Sequence, residues 1–398
     1  MCNTIYKYYI ILIIAILCGC EEKRQQQFTP WGEPISTSVE TSSQQFTVSD
    51  IQDNGEMIMI TMYGPDTYFD YHGKPLGTQF MLCEKFAQKL GVSLRVEVCK
   101  STDEMIAKLK AGEGDIIAYP IKKKAKETIP CGYAIDSTGT AWAVDRKNTE
   151  LADSINRWYK PGLLTEVVKE EKRLFSTKSV HRHVYAPMLN ASSGTISKYD
   201  HIFMKYAPLA RWDWRLLAAQ CYQESCFDPM AYSWAGAKGL MQIMPSTAAH
   251  LGLPQSQIND PEQNIYAAVR YICELGNHFK DVRDPFERSF FVLASYNGGY
   301  FHIRDAMNLA EKFGKNKYKW DNVEPYVLGL QSAEYYNDPK VKYGYMRGSE
   351  TVNYVNKIHD RWRQYRGKAR GGSLPGLIGT TPIADTPQKA TKRHRFKL

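Results

Sequence analysis

One glutamate, Glu224, stands in a sequence context suited to acid–base chemistry. The apolar residues of 212–225 are spaced as in an amphipathic helix, with Leu217 and Cys221 on its inner stripe. Glu224 lies at the edge of that stripe, where a carboxyl group is partly removed from water and its pKa should rise. On this helix alone, Glu224 could also be a surface glutamate that reaches water from a helix end.

The stretches that follow this helix contain polar side chains and a loop of small residues that leaves the main chain accessible. A loop of small residues at 235–239 lets the main chain approach a ligand. The order Asp260-Pro261 predicts a helix start, with Asp as N-cap and Pro as first residue. The segments that carry polar side chains are Gly239-Leu240-Met241-Gln242, Tyr296-Asn297-Gly298-Gly299 and Glu350-Thr351-Val352-Asn353-Tyr354.

These segments, in this order and spacing, resemble the lytic transglycosylases of the goose-lysozyme-like superfamily. The resemblance covers 198–365 and implies an all-α lysozyme-like catalytic domain that cuts the peptidoglycan glycan strand. It implies that Glu224 is the single catalytic acid and then base, so that N-acetylmuramic acid leaves as a 1,6-anhydro end. Ordinary glycosidases need two flanking carboxylates instead.

The same resemblance implies roles for six neighbours. Tyr354 is expected to hydrogen-bond Glu224. Substrate contacts are expected from the polar side chains Ser225, Gln242 and Asn297 and from the cleft walls Met241 and Tyr296. Each could alternatively serve the core or a helix cap, as could Glu350. Gly298-Gly299 departs from the usual Ala-Gly, and we expect that change to be mild.

Two other functions stay open. A hydrolytic muramidase would need a second carboxylate; Asp228 is a candidate, although its place before Pro229 suits a turn residue. A non-catalytic peptidoglycan-binding or sensing lipoprotein is the other alternative. The sequence contains no cluster with metal-ligand spacing, phosphate loop or serine-hydrolase signature, so we expect no metal and no cofactor.

An α/β unit precedes the helical one. Strands at 57–63, 93–98 and 115–119 alternate with helices at 79–90 and 101–111, and this order predicts a small, mostly parallel sheet. The stretches Gly77-Thr78-Gln79-Phe80 and Leu109-Lys110-Ala111-Gly112 resemble lobe one of the periplasmic solute-binding domains. Only 131–141 stands where that family has a second lobe, so we expect lobe two to be absent. One lobe cannot enclose a ligand. We therefore expect this lobe to serve as a scaffold or as a surface that contacts cell-wall enzymes, and the alternative is that it binds a small ligand or muropeptide.

The N-terminus is typical of a lipoprotein. An eight-residue apolar stretch, 10–17, is too short to span a bilayer and precedes the lipobox-like Leu17-Cys18-Gly19-Cys20. We expect a signal peptide at 1–19 and lipidation at Cys20, which would anchor the chain on the periplasmic side of the cell envelope. Glu21 and Glu22 are compatible with the outer membrane.

The expected organisation is therefore an α+β multidomain chain. Net charge is +9 from 51 basic and 42 acidic residues, and most of it lies in the tail, which has eight Lys or Arg and one acid. Aromatic residues do not alternate with this charge, so no nucleic-acid site is expected. The ranges are 1–19 signal peptide, 20–56 flexible tether, 57–160 single α/β lobe, 161–197 connector, 198–365 catalytic domain and 366–398 basic disordered tail.

Overall fold

A computed structural model of the protein describes residues 47–122, 126–135, 139–176 and 179–369. The expected signal peptide, Cys20, the tether as far as 46 and the tail beyond 369 lie outside the described residues. Among the described residues, no helix is long and apolar enough to cross a membrane.

The first lobe is built on a five-stranded sheet of order β4-β1-β5-β7-β6. The pairs β1–β4 and β1–β5 are parallel, whereas β5–β7 and β6–β7 are antiparallel. The sheet is thus mixed, not mostly parallel, because the chain returns through a β6–β7 hairpin. Its elements are α1 (Val48–Asn54), β1 (Glu56–Thr61), β2 (Phe69–Tyr71), β3 (Lys74–Leu76), α2 (Thr78–Leu90), β4 (Ser93–Val98), α3 (Thr102–Ala111), β5 (Ile116–Lys122), β6 (Thr128–Ile135), β7 (Thr140–Asp145), α4 (Thr149–Trp158) and α5 (Pro161–Leu174).

The predicted helix signals of this lobe are largely confirmed. The α2 helix ends at Gly91, whose φ of 79° suits glycine. Ser101 caps α3 by accepting the backbone N–H of Glu104 at 3.1 Å. In return, the Glu104 carboxylate accepts the N–H of Lys100, the residue before the cap, at 2.8 Å.

The lobe is larger than its predicted range at both ends. Residues 48–54, expected to belong to the tether, form α1, because Thr47 and Asp50 make a capping box and Ile51 is buried in the core of the lobe. Residues 161–174, expected to be connector, form α5, which packs against α2 and buries Val167 in that core. The single buried side chain of α1 is too weak a pattern to read from sequence, whereas α5 buries both Val167 and Leu174.

The second lobe of the solute-binding domains has no counterpart between β6 and β7. Residues 136–139 alone join these two strands. A lobe of the expected size cannot be formed by four residues, so the described part of the chain agrees with the single-lobe expectation.

A short hairpin, β2–β3, projects from the lobe and was not predicted. Its turn is His72-Gly73, with left-handed φ values of 51° and 71°. Asp70 stabilises the turn by accepting the Gly73 N–H at 2.8 Å. Three-residue strands give no recognisable alternation, which is why sequence patterns miss them.

The second unit is helical and has one hydrophobic core that surrounds α7. This helix packs against α14 and is buried on all sides from Trp214 to Cys221, so it is a central helix instead of the expected amphipathic one. Its elements are β8 (Val180–His181), α6 (Asp200–Tyr206), α7 (Trp214–Ser225), β9 (Tyr232–Ser233), α8 (Pro245–His250), α9 (Pro261–His278), α10 (Pro285–Gly298), α11 (Tyr300–Lys312), α12 (Trp320–Gly329), α13 (Ala333–Tyr336) and α14 (Gly348–Arg366).

Aspartate caps fix where the main helices begin. The predicted Asp260 cap is confirmed, because its carboxylate accepts the N–H of Gln263 at 2.9 Å. Asp213 and Asp284 cap α7 and α10 in the same way. These caps set the starting register of the helices that carry the polar motifs.

Candidate active site

Glu224 lies in the last turn of α7, half-buried at the edge of a cavity of about 390 Å³. Directly after the helix, Cys226 and Phe227 have φ values of 52° and 63°. Two successive left-handed residues without glycine are rare and are typical of functional sites. They turn the chain away from the helix axis immediately beyond the carboxyl group.

Tyr354 of α14 holds the Glu224 side chain. The tyrosine hydroxyl donates to Oε1 of Glu224 at 2.5 Å, as expected, and itself accepts Nε2–H of Gln220 at 3.2 Å. Gln220 and Tyr354 are both buried. This relay fixes the rotamer of the carboxyl group, because each member is held by packed helices.

The environment of Glu224 favours its protonated form. Burial raises the pKa of Glu224 to about 7, although the hydrogen bond from Tyr354 and the nearby His72 and Arg182 oppose that rise. A large share of the carboxyl groups is therefore protonated at neutral pH. Such a group can give a proton to a ligand and later take one back.

The loop beyond β9 depends on a residue that the sequence reasoning missed, Asn264. Its Oδ1 accepts the N–H of Met241 at 2.8 Å, and its Nδ2 donates to the carbonyls of Lys238 and Ile258. A Cβ on Gly239 would stand 2.3 Å from Nδ2 of Asn264, so only glycine fits there. An asparagine on a helix, four residues after its aspartate cap, is the sequence signal that could have found it.

Gln242, Tyr296 and Asn297, for which the resemblance implies substrate contacts, line the cavity. Gln242 has a φ of 48° and uses its Nε2 to donate to two loop carbonyls. The Tyr296 hydroxyl donates to the carbonyl of Met241 at 2.8 Å. Asn297 accepts the hydroxyl of Thr351 at 2.8 Å through Oδ1, which leaves the amide hydrogens as donors toward the cavity.

Two residues expected to contact substrate are placed elsewhere. Ser225 is fully buried, and its hydroxyl donates to the carbonyl of Cys221. Met241 is fully buried in the helical core, and only its backbone takes part in the site. Adjacent helical residues point about 100° apart, so the neighbour of a cleft-facing glutamate turns inward.

Asp228 behaves as a turn residue. It is buried, and its carboxylate accepts the backbone N–H groups of His183 and Met230 at 2.6 and 2.9 Å. It does not line the cavity that holds Glu224.

Glu350 is the second carboxyl group that lines this cavity. It accepts the Tyr71 hydroxyl at 2.7 Å and Nε–H of Arg347 at 3.2 Å, and Nε2 of His72 lies 3.8 Å away. Burial alone would raise the pKa of Glu350, but the nearby His72, the hydrogen bond from Tyr71 and the charge of Arg347 outweigh it and lower the pKa to about 2. Glu350 is thus ionised where Glu224 is largely neutral.

Tyr71 and His72 belong to the β2–β3 hairpin of the first lobe, so the site is shared between both units. The Tyr71 ring also lies parallel to that of Trp234, with centroids 6.1 Å apart. Arg182, from β8 and its flank, donates to the carbonyl of Glu224 at 2.8 Å. Tyr71, His72 and Arg182 were not predicted, because contacts between residues 42 or more positions apart leave no local sequence pattern.

Gly298 is more constrained than expected. A Cβ at this position would stand 2.5 Å from Oγ1 of Thr351 and 2.7 Å from Cε of Met346. In this chain the space of the usual alanine methyl is filled from α14 and the segment before it, so the change is compensated by neighbouring side chains.

Among the described residues, no group of three or more His, Cys, Asp or Glu side chains is arranged to hold a metal ion. The six cysteines in the same part of the chain are free thiols, Cys221 and Cys226 among them.

Comparisons with known proteins place this arrangement in context. Residues 202–319 match the family model described as Transglycosylase SLT domain. The chain is 34% identical over 252 residues to membrane-bound lytic murein transglycosylase F of Desulfosudis oleivorans, which covers 61% of this chain and 50% of that protein. It is 26% identical over 423 residues to the protein of that name from Maricaulis maris, covering 80% and 91%. The matched region thus spans about half the length of the first of these relatives.

Two solved structures are similar to parts of the chain. The 70 kDa soluble lytic transglycosylase of Escherichia coli matches 42% of this chain and 24% of its own, with 26% identity and a TM-score of 0.30. The arginine-bound domain 1 of TmArgBP matches 29% of this chain and 97% of its own, with 23% identity and a TM-score of 0.25.

Proposed function

We propose that the chain is a peptidoglycan lytic transglycosylase of the membrane-bound lytic murein transglycosylase F type, with Glu224 as its single acid–base residue; the similarity to proteins of that name and to the Transglycosylase SLT domain supports this. The observation that carries this proposal is the half-buried Glu224 carboxyl, with a pKa of about 7, at the wall of a cavity of about 390 Å³.

Bond cleavage begins with proton donation. Protonated Glu224 gives its proton to the oxygen that links N-acetylmuramic acid to N-acetylglucosamine, and the C1–O bond breaks with oxocarbenium character at C1. The resulting Glu224 carboxylate then takes the proton of the muramic C6 hydroxyl, whose oxygen closes onto C1. The proton is returned, no water is added, and the product is a 1,6-anhydro end.

The neighbours of Glu224 support both halves of this reaction. Tyr354 keeps the carboxyl in one rotamer and its hydrogen bond stabilises the carboxylate. The free amide hydrogens of Asn297 and the ring of Tyr296 are suited to hold the acetamido group and the face of a sugar. Ring closure from within the same sugar needs no activated water, since the attacking oxygen is already in place.

Glu350 gives the hydrolytic alternative a specific basis, because it is an ionised carboxylate in the same cavity. Its oxygens, however, accept hydrogen bonds from Tyr71 and Arg347. A carboxylate held by two such donors is a weaker nucleophile or base, so we favour the intramolecular route.

At the membrane, we propose that lipidation of Cys20 anchors the chain at the periplasmic face of the cell envelope, in the outer membrane. The lipobox-like sequence and Glu21-Glu22 support this. The relatives are named membrane-bound. Labelled palmitate should be incorporated by the wild-type chain and not by Cys20→Ser, and labelling of both would refute the anchor.

Mass spectrometry of digested sacculi tests the reaction. We expect anhydro-muramic ends from the wild type, none from Glu224→Gln, and wild-type yields from the control Glu334→Gln, which changes an exposed glutamate outside both cavities. Reducing ends heavier by one water would establish the hydrolytic alternative. Cleavage retained by Glu224→Gln would refute the role of Glu224.

A further inference from the structure

A second cavity, of about 500 Å³, adjoins the one that holds Glu224. The two cavities share wall residues from both units, among them His72, Gln242 and Asn297. A ligand seated beside Glu224 can therefore continue into the second cavity without leaving the cleft.

Aromatic rings dominate the walls of this second cavity, which we call the aromatic chamber. Tyr63 and Tyr68 of the first lobe line it, and Phe301 and Tyr343 line it from the helical unit. The rings of Phe301 and Tyr343 are stacked, with centroids 4.4 Å apart and planes 17° apart. The outer face of such a stacked pair, exposed at a cavity wall, forms a platform on which the C–H face of a sugar can pack.

The exposure of this platform has no structural explanation within the described residues. Phe301 is 53% exposed although it stands at the start of α11, where a polar residue would serve the helix equally well. An exposed aromatic pair at the wall of a cavity that continues into a proposed catalytic site is typical of a ligand contact.

Apart from Asp70, whose carboxylate accepts the Gly73 N–H, the polar groups of the chamber suit an uncharged ligand. The charges of Arg347 and Glu350 are paired with each other. Burial lowers the pKa of His302 to about 4, so its ring is neutral at neutral pH, and its buried Nδ1 has no hydrogen-bond partner among the described residues. Neutral polar groups beside stacked rings match the hydroxyl and acetamido groups of an amino sugar.

We propose that the aromatic chamber binds a further N-acetylated amino-sugar unit of the glycan strand, which makes the first lobe part of the substrate site. This inference rests on the proposed function for the identity of the strand. The lobe contributes Tyr63 and Tyr68 to the wall of the chamber and His72 to the boundary between the two cavities. A single lobe that cannot enclose a solute can still complete a site on a neighbouring unit.

Binding can be measured without cleavage, in the Glu224→Gln full-length chain. The probe is glycan strands of graded length from which an amidase has removed the peptide stems. We expect Phe301→Ala to weaken binding about tenfold for strands long enough to reach the chamber, and not for the shortest ones.

Phe313→Ala is the matched control. Phe313 follows the other end of α11, is 49% exposed, stacks on Tyr326 and lines neither cavity. His72→Asn tests the lobe, because asparagine tolerates the left-handed backbone of the turn while the imidazole is removed. We expect a length-dependent loss of a few fold from His72→Asn and none from Phe313→Ala.

Equal binding by the Phe301 and Phe313 variants at every strand length would overturn the proposal. So would a loss that appears only when the strands carry peptide stems. Failure of the wild type to yield anhydro ends, with the length-dependent loss intact, would refute the proposed reaction and leave the chamber standing.

Discussion

Replacing Glu224 by glutamine should stabilise the protein, and by an amount that depends on pH. The carboxyl group has an ordinary pKa of 4.5 and a pKa of about 7 in the folded protein, where burial disfavours its charged form. Each pKa unit corresponds to about 1.4 kcal/mol, so ionising Glu224 costs the folded state about 3 kcal/mol.

The direction of the stability change depends on whether the folded or the unfolded chain holds the Glu224 proton at a given pH. Below pH 4.5 the carboxyl is protonated whether the chain is folded or not, and the substitution should have little effect. Between pH 4.5 and about 7 the unfolded chain loses the proton first, so wild-type stability falls as the pH rises. Above pH 7 the full cost is present, and the glutamine variant should exceed the wild type by about 3 kcal/mol.

Urea-induced unfolding followed by tryptophan fluorescence at several pH values from 4 to 9 would measure this difference. Glu334→Gln, at an exposed glutamate, should follow the wild type throughout. A glutamine variant with wild-type stability at pH 8 would refute the reasoning, because Glu224 would then be as well solvated as in the unfolded chain. The activity of the wild type should fall as the pH rises through about 7 for the same reason.

Further predictions concern the groups around Glu224. Tyr354→Phe removes a hydrogen bond that lowers the pKa of Glu224, so kcat should fall at least tenfold and the alkaline limit of its pH profile should move upward; an unchanged profile would exclude the contact. Asn264→Ala breaks three buried hydrogen bonds and should lower the free energy of unfolding by about 3 kcal/mol, measured in urea, with loss of activity; wild-type stability would contradict this. Glu350→Gln should be less stable than the wild type at neutral pH, and the difference should vanish as the pH falls from 4.5 toward 2; a deficit that persists at pH 2 would show that charge is not its cause.

Structural features were predicted correctly where the interacting residues are close together in the chain. Ser101 and Asp260 cap helices because a side-chain oxygen reaches an N–H three residues later. Such features depend on the geometry of one turn, which the order of residue types determines. The partial burial of Glu224 was expected, but for a reason that the structure corrects: the helix is buried on all sides and has no single apolar stripe.

Features that depend on packing between distant segments could not be predicted from the sequence. The orientation of Ser225 and the burial of Met241 depend on which face of each segment meets the core. The α1 helix has too few apolar positions for a pattern, yet its Ile51 completes the core of the lobe.

The sequence by itself determined the order of the two units and the starts of the main helices, because these depend on neighbouring residue types, and its motifs singled out Glu224 as the candidate acid. Only the tertiary structure decided that a hairpin of the first lobe lines the cleft, that Asn264 supports the loop containing Met241 and that Glu350 is ionised beside a largely neutral Glu224. The physical reason is that both desolvation and hydrogen bonding at this site come from segments as much as 279 residues apart, as Tyr71 and Glu350 are.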